Sequence, residues 1–217
     1  MRFFSVILLG VALLVGGLKP CQGNTQGYVE PESCRRYECP EYEVVESQKE
    51  YQIRSYKLAN WIAAAPIRST SFVGATIEGM RTLTAYIHGK NDQKVELNMT
   101  APVLVDVVPA ETGKTASYTA HFYLPKKYQS DPPKSQEVHP VKLPIRLYAA
   151  VRRFGGFATD NDVSEQLATL ANSVEGSGAW RLPIGFNILP YGVAVYNAPF
   201  EHTNHVNEVI IWLGNES

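Results

Sequence analysis

The chain has 217 residues, 45% of them hydrophobic, with 20 Lys+Arg against 21 Asp+Glu. That length suits one domain or two small ones. A formal charge of −1 argues against nucleic acid as a partner, because a phosphate backbone demands a basic surface.

The N-terminus has the order of a secretory signal. Met1-Arg2 supplies a positive charge, an apolar run extends from Phe3 to Leu18, and Cys21-Gln22-Gly23 places small residues where a signal peptidase reads them. The run is marginal for a membrane span of about 20 apolar residues. Residues 1–23 are therefore predicted to be a cleaved signal peptide, and the protein to be secreted, extracellular and free of the membrane. Arg2 and Lys19 leave with the signal, so 18 basic residues face 21 acidic ones and the mature charge becomes −3. Cys21 leaves too. Cys34 and Cys39 remain, an even pair in an oxidising compartment, and are expected to form a structural disulfide. Metal binding at that pair is disfavoured, since no histidine or third cysteine lies nearby. Residues 24–37 read as a flexible leader.

Tyr42–Glu46 and Tyr51–Tyr56 are β-prone runs around a polar break and predict a hairpin or meander. Leu58–Ala65 is a third strand candidate, ended by Pro66. Ser69, Thr70 and Ser71 offer cap oxygens to a helix in which Phe72, Ala75, Gly79, Met80, Leu83, Tyr86 and Ile87 keep helical spacing. Its apolar stripe, widened by Ile77, exceeds what one contact surface requires. Strands are expected at 95–99, 103–108 and 118–124. The proline-rich stretch 125–144 reads as a long surface loop with room for one short edge strand.

The second half repeats the order with a strand at Ile145–Val151, a Gly155-Gly156 turn, and a helix capped by Thr159 or Asp160. Gly176 is the expected stop. Strands are expected at 186–189, 193–196 and 208–213. Strand, helix, strands thus occurs twice, which predicts an α+β antiparallel sheet carrying two helices, not a parallel array.

Catalytic motifs are missing. There is no phosphate loop, nucleophile elbow, His-Glu-x-x-His helix or paired Cys-x-x-Cys, and no enzyme activity is expected. His121 reads as a surface histidine on a strand, and His202 and His205 as solvated loop residues. Two N-glycosylation sequons begin at Asn98 and Asn215; Asn98 is the candidate acceptor, although it falls in an expected strand.

Several blocks resemble the SOUL family of heme-binding proteins. They are Tyr51-Gln52-Ile53-Arg54-Ser55-Tyr56, Gly89-Lys90-Asn91 with Met99-Thr100-Ala101-Pro102-Val103, Phe122-Tyr123-Leu124-Pro125, Phe154-Gly155-Gly156-Phe157, and the closing Asn207–Leu213. They follow the family's order across a domain at 38–213, with the nearer likeness to its heme-binding protein 2 branch in a secreted form. The resemblance implies a distorted barrel of two four-stranded antiparallel sheets with two flanking helices, related by a pseudo-twofold. It implies reversible binding of heme or porphyrin in a hydrophobic cleft beside the first helix. By position, the cleft residues would be Ile77, Met80, Leu83 and Thr84, with Tyr191 as a wall and Arg54 and Arg81 meeting the propionates.

One position departs from the family pattern. Some members carry a histidine after the Ile-Arg pair as an axial ligand, and here that residue is Ser55. A tetrapyrrole would then be held without a firm axial ligand. The expected partner is a small apolar tetrapyrrole, and the expected state is a monomer. The competing expectation is an extracellular protein-interaction module that keeps the fold and has lost the ligand.

Overall fold

The computed structural model describes residues 31–111, 113–144, 148–185, 188–197, 201 and 204–213. The expected signal segment, the start of the expected leader and the Asn215 sequon lie outside the described residues.

Among the described residues, ten strands form a single antiparallel sheet. They are β1 (Tyr42–Ser47), β2 (Gln52–Tyr56), β3 (Ala59–Ala64), β4 (Ile67–Ser69), β5 (Val103–Pro109), β6 (Ala116–Tyr123), β7 (Val138–Leu143), β8 (Tyr148–Gly155), β9 (Tyr191–Val195) and β10 (Val206–Leu213). Their spatial order is β1-β2-β8-β10-β9-β5-β6-β3-β7, with β4 on β6. The sheet curls into a distorted half-barrel with, among the described residues, three α-helices, α1 (Glu32–Arg36), α2 (Phe72–Ile87) and α3 (Asp160–Ser177). α2 packs on the half made by β3, β4, β6 and β7, and α3 on the half containing β8 and β10. The two halves are continuous because β9 hydrogen-bonds both β10 and β5.

The helices begin where their capping chemistry says. Ser71 Oγ accepts from Gly74 N–H at 3.2 Å, and Thr159 forms a reciprocal box with Asp162. Asp160, the first residue of α3, also accepts from the Phe72 N–H and the Ser71 hydroxyl. One carboxylate therefore sits at the positive ends of both helices. α3 ends at Gly178 (φ 68°), a left-handed position that favours glycine, two residues beyond the expected stop. α2 lies close on the sheet because residue 79 has no side chain: a Cβ there would sit 2.7 Å from Ala120 Cβ.

Strand alternation sends successive side chains to opposite faces. Ile53, Ile62, Val105, Phe122, Ala150, Val209 and Ile211 meet the helices in one core. Trp61, Leu104, Tyr123, Leu143, Ala149, Val151, Ala194 and Ile210 line the concave face, where Cys34, Tyr37 and Cys39 pack against them.

Several expectations change in the structure. Residues 31–37 of the expected leader are structured: α1 is followed by Cys39, which closes the disulfide to Cys34 (Cα–Cα 5.5 Å), and Arg36 is tied to Glu201 at 3.0 Å. Residues 95–99 form no strand, only an isolated bridge between His88 and Glu96, because the Asn91 side chain spends its hydrogen bonds on the Val95 N–H and C=O and the Tyr86 C=O. The expected strand at 186–189 is not formed at Ile188 and Leu189, and its first two residues lie outside the described set. β7 is the edge strand foreseen in the proline-rich stretch, with Pro140 opposite Ile62.

Candidate functional site

Four of the predicted cleft residues share one side of α2. At 100° per residue, Ile77, Met80, Arg81 and Thr84 fall within about a third of a turn, together with Val73. Ile77 is 58% exposed, Val73 36%, Met80 is half-buried, and Arg81 and Thr84 are exposed. This is an apolar stripe open to solvent with one cation on it. His88, the C-cap, follows Thr84 by four residues and is exposed.

Leu83 lies on the inward flank of the stripe, about 60° round the helix from Met80. It is 2% exposed and belongs to the core between α2 and the sheet, so it supports the stripe from beneath and does not line it. Tyr191 packs against the helix-side core, where burial holds its hydroxyl well above the usual range. None of the four α2 residues lines the apolar cavity that Tyr191 borders.

Arg54 is the clearest correction. It lies on the concave face, with no exposed side-chain surface, and its guanidinium grips Glu208 through two 2.9 Å bonds. Its Nε donates to Gln52 Oε1 at 2.9 Å, and the Tyr42 ring stacks 4.3 Å from its Cζ. A buried guanidinium whose donors are engaged in this way does not meet a propionate. Glu208 is equally enclosed and also receives Arg153 at 2.9 Å and the Tyr196 hydroxyl at 2.9 Å. Burial pushes its carboxyl up, but the charges and hydrogen bonds of Arg54 and Arg153 outweigh it and hold it below the ordinary value.

The concave face also opens into a cavity of about 280 Å³ whose walls include Val108, Leu143, Pro183, Pro190 and Trp212. A smaller recess of about 20 Å³ shares Leu143 and Trp212 with it. Asp106 is the one charged residue lining the larger cavity. Its side chain is 27% exposed, its Oδ2 lies 3.8 Å from His121 Nδ1, and its Oδ1 is buried without a hydrogen-bond partner. Burial pushes the Asp106 carboxyl up to about 6, partly offset by a hydrogen bond from Trp212. His121 is buried, not on the surface as expected, and burial lowers it to about 4. Its Nδ1 is also without a partner. Sequence patterning gave no sign of this pair: His121 occupies the polar phase of β6 with Ser117 and Thr119, whereas Asp106 is the lone charge in an otherwise apolar β5. Among the described residues no three His, Cys, Asp or Glu side chains gather as a metal site.

The described residues thus form a curled antiparallel sheet with one helix packed on each half, an open helix stripe and an apolar cavity. The family model described as SOUL heme-binding protein matches residues 37–212, and the chain belongs to that family. Among its relatives, heme-binding protein 2 of Mus musculus is 32% identical over 168 residues, covering 76% of this chain and 79% of the relative. Heme-binding protein 2 of Homo sapiens is 33% identical over the same shares. Of solved structures, a hydrolase from Listeria innocua superposes with a TM-score of 0.48 at 8% identity, covering 78% of this chain and 94% of that one.

Proposed function

We propose that the protein is a secreted, monomeric binding protein for heme or another tetrapyrrole, and not an enzyme, with the ring held on the outer face of α2. The observation that carries this is the solvent-open stripe of Val73, Ile77 and Met80 with Arg81 beside it, on the scaffold of a family described by heme binding. Burying a macrocycle's apolar area contributes roughly 25 cal/mol per Å², which can exceed the cost of association without an iron ligand. Arg81 is the propionate partner, since Arg54 is occupied by Glu208. Ser55, in the position where some family members carry histidine, supports binding without a firm axial ligand. Asn98, exposed on irregular backbone, is the candidate glycan acceptor.

Tryptophan-quenching titrations with hemin and metal-free protoporphyrin test this reading. Both should saturate with similar affinity, and Met80→Glu should weaken both about tenfold or more, because it sets a charge against the ring. A strong preference for hemin that disappears in His88→Ala overturns binding without an axial ligand. If neither ligand saturates, the stripe serves a protein partner instead. N-terminal sequencing of secreted material should begin at Asn24.

A further inference from the structure

We propose that the concave face carries a second ligand site, separate from α2, which takes a compact organic cation with an apolar body between Asp106, Trp212, Leu143 and Pro183. The walls set the body of the ligand. Val108, Leu143, Pro183 and Pro190 are apolar, and Trp212 adds an aromatic surface, so a ligand that buries hydrocarbon is favoured. The volume of about 280 Å³ lies just under the usual range of about 300–1,000 Å³ for small-molecule pockets. It suits a single-ring ligand.

Asp106 sets the charge. Among the described residues its one ion-pair partner within 4.0 Å is His121 Nδ1 at 3.8 Å, and burial keeps that imidazole neutral at pH 7. The carboxylate is then an uncompensated negative charge against apolar walls, an arrangement that costs stability until a cation meets it. Oδ1 is buried towards Gly192 and unpartnered, so a cation in the cavity would meet the part of the carboxylate that remains exposed. Elsewhere on this face the protein neutralises its buried carboxylate: Glu208 receives two arginines and a tyrosine. Asp106 has received only a hydrogen bond from Trp212. An ammonium or quaternary group would supply the missing charge, and the indole of Trp212 offers a face to the same cation. Anionic ligands are repelled, which separates this site from one that holds propionates.

Benzyltrimethylammonium and its uncharged carbon isostere neopentylbenzene test the proposal by calorimetric titration at pH 7.5, with phenylacetate as the anionic member of the series. Wild-type protein should bind the quaternary cation saturably, at least about tenfold more tightly than the isostere, and phenylacetate not at all. Asp106→Asn should weaken the cation about tenfold or more and change the isostere less than about twofold. The wild-type charge series decides the matter even if the variant folds poorly. Equal affinity for cation and isostere, indifference of the cation to Asp106→Asn, or no saturable binding of the cation each overturns the site. The proposal does not rest on tetrapyrrole binding, so a preparation that binds hemin but not the cation refutes this inference alone.

Discussion

The two faces of the sheet are made by the same strands and both bury apolar clusters, but among the described residues only one of them also buries charged side chains. Ile53 and Arg54, Val105 and Asp106, Phe122 and His121, Val209 and Glu208 are neighbours in sequence, and in each pair the apolar member packs under a helix while the ionisable member faces the concave side. The helix side is held by burial of hydrocarbon and by close approach. The concave side buries an apolar cluster of its own around Trp61, Leu104 and Ile210 and adds ionisable pairs, matched fully at Arg54–Glu208 and incompletely at Asp106–His121. A strand whose alternate residues are polar is ordinarily read as wet on one face. Here the curl of the sheet encloses that face as well, so each polar residue on it must find a partner or remain a local deficit.

The largest test of this contrast is Glu208→Gln. It leaves the Arg54 guanidinium buried with its counter-charge removed, and breaking such a pair from one side costs about 3–5 kcal/mol. Urea denaturation should show this loss at pH 7, whereas a cost under about 1 kcal/mol would mean that solvent reaches the pair. On the helix side, Gly79→Ala should cost about 1–3 kcal/mol by overpacking, because the new methyl would meet Ala120 Cβ at 2.7 Å. A neutral or stabilising result there would show that α2 slides freely on the sheet.

The smallest effect is the most specific. The Asp106 carboxyl has an ordinary value of 3.8 and a folded value of about 6. It therefore carries no penalty in strong acid, and the penalty grows from pH 3.8 to 6 and persists above. His121 runs from 6.5 unfolded to about 4 folded, so its penalty is absent above pH 6.5 and grows as the pH falls to 4. The two slopes oppose each other across the same interval. Asp106→Asn should be more stable than wild type by about 1–2 kcal/mol at pH 7, and that advantage should vanish near pH 4. His121→Gln should show the mirror result, with its advantage growing on acidification. Chemical denaturation at pH 4.5, 5.5, 6.5 and 7.5 measures both, and a pH-independent difference in either variant would mean that the pair is hydrated.

The helix side was largely legible in the sequence. Apolar residues at helical spacing mark α2 and α3, and the oxygens of Ser71 and Thr159 mark their starts. The stripe of Ile77 and Met80 was legible because it is wider than one buried face needs. The concave side was not. Arg54 and Arg81 carry the same charge in sequence, and only the pairing of β2 with β8, and of β8 with β10, brings Arg54 to Glu208, 154 positions away. His121 looks like a surface residue in the sequence, yet the structure leaves it only 5% exposed. Leu83 and Met80 differ by three positions and lie on adjoining flanks of one helix, one buried and one half-buried, a distinction finer than block resemblance provides. The join between the two halves was also hidden, because β9 is only five residues long and meets both.

That join has a consequence in time. β2 completes its pairing only when Gln52 meets Val151, roughly a hundred residues later, and β8 in turn waits for β10 at the end of the domain. The early strands thus leave the ribosome well before the strands that cover them exist. Long-range antiparallel pairing of this kind is associated with folding in milliseconds to seconds, not microseconds. During that interval the β1–β2 hairpin presents an open edge with Val44 and Val45 near it, both still exposed in the finished protein. The same connectivity that encloses two faces of one sheet makes the nascent chain depend on being kept apart from its copies until its last strand arrives.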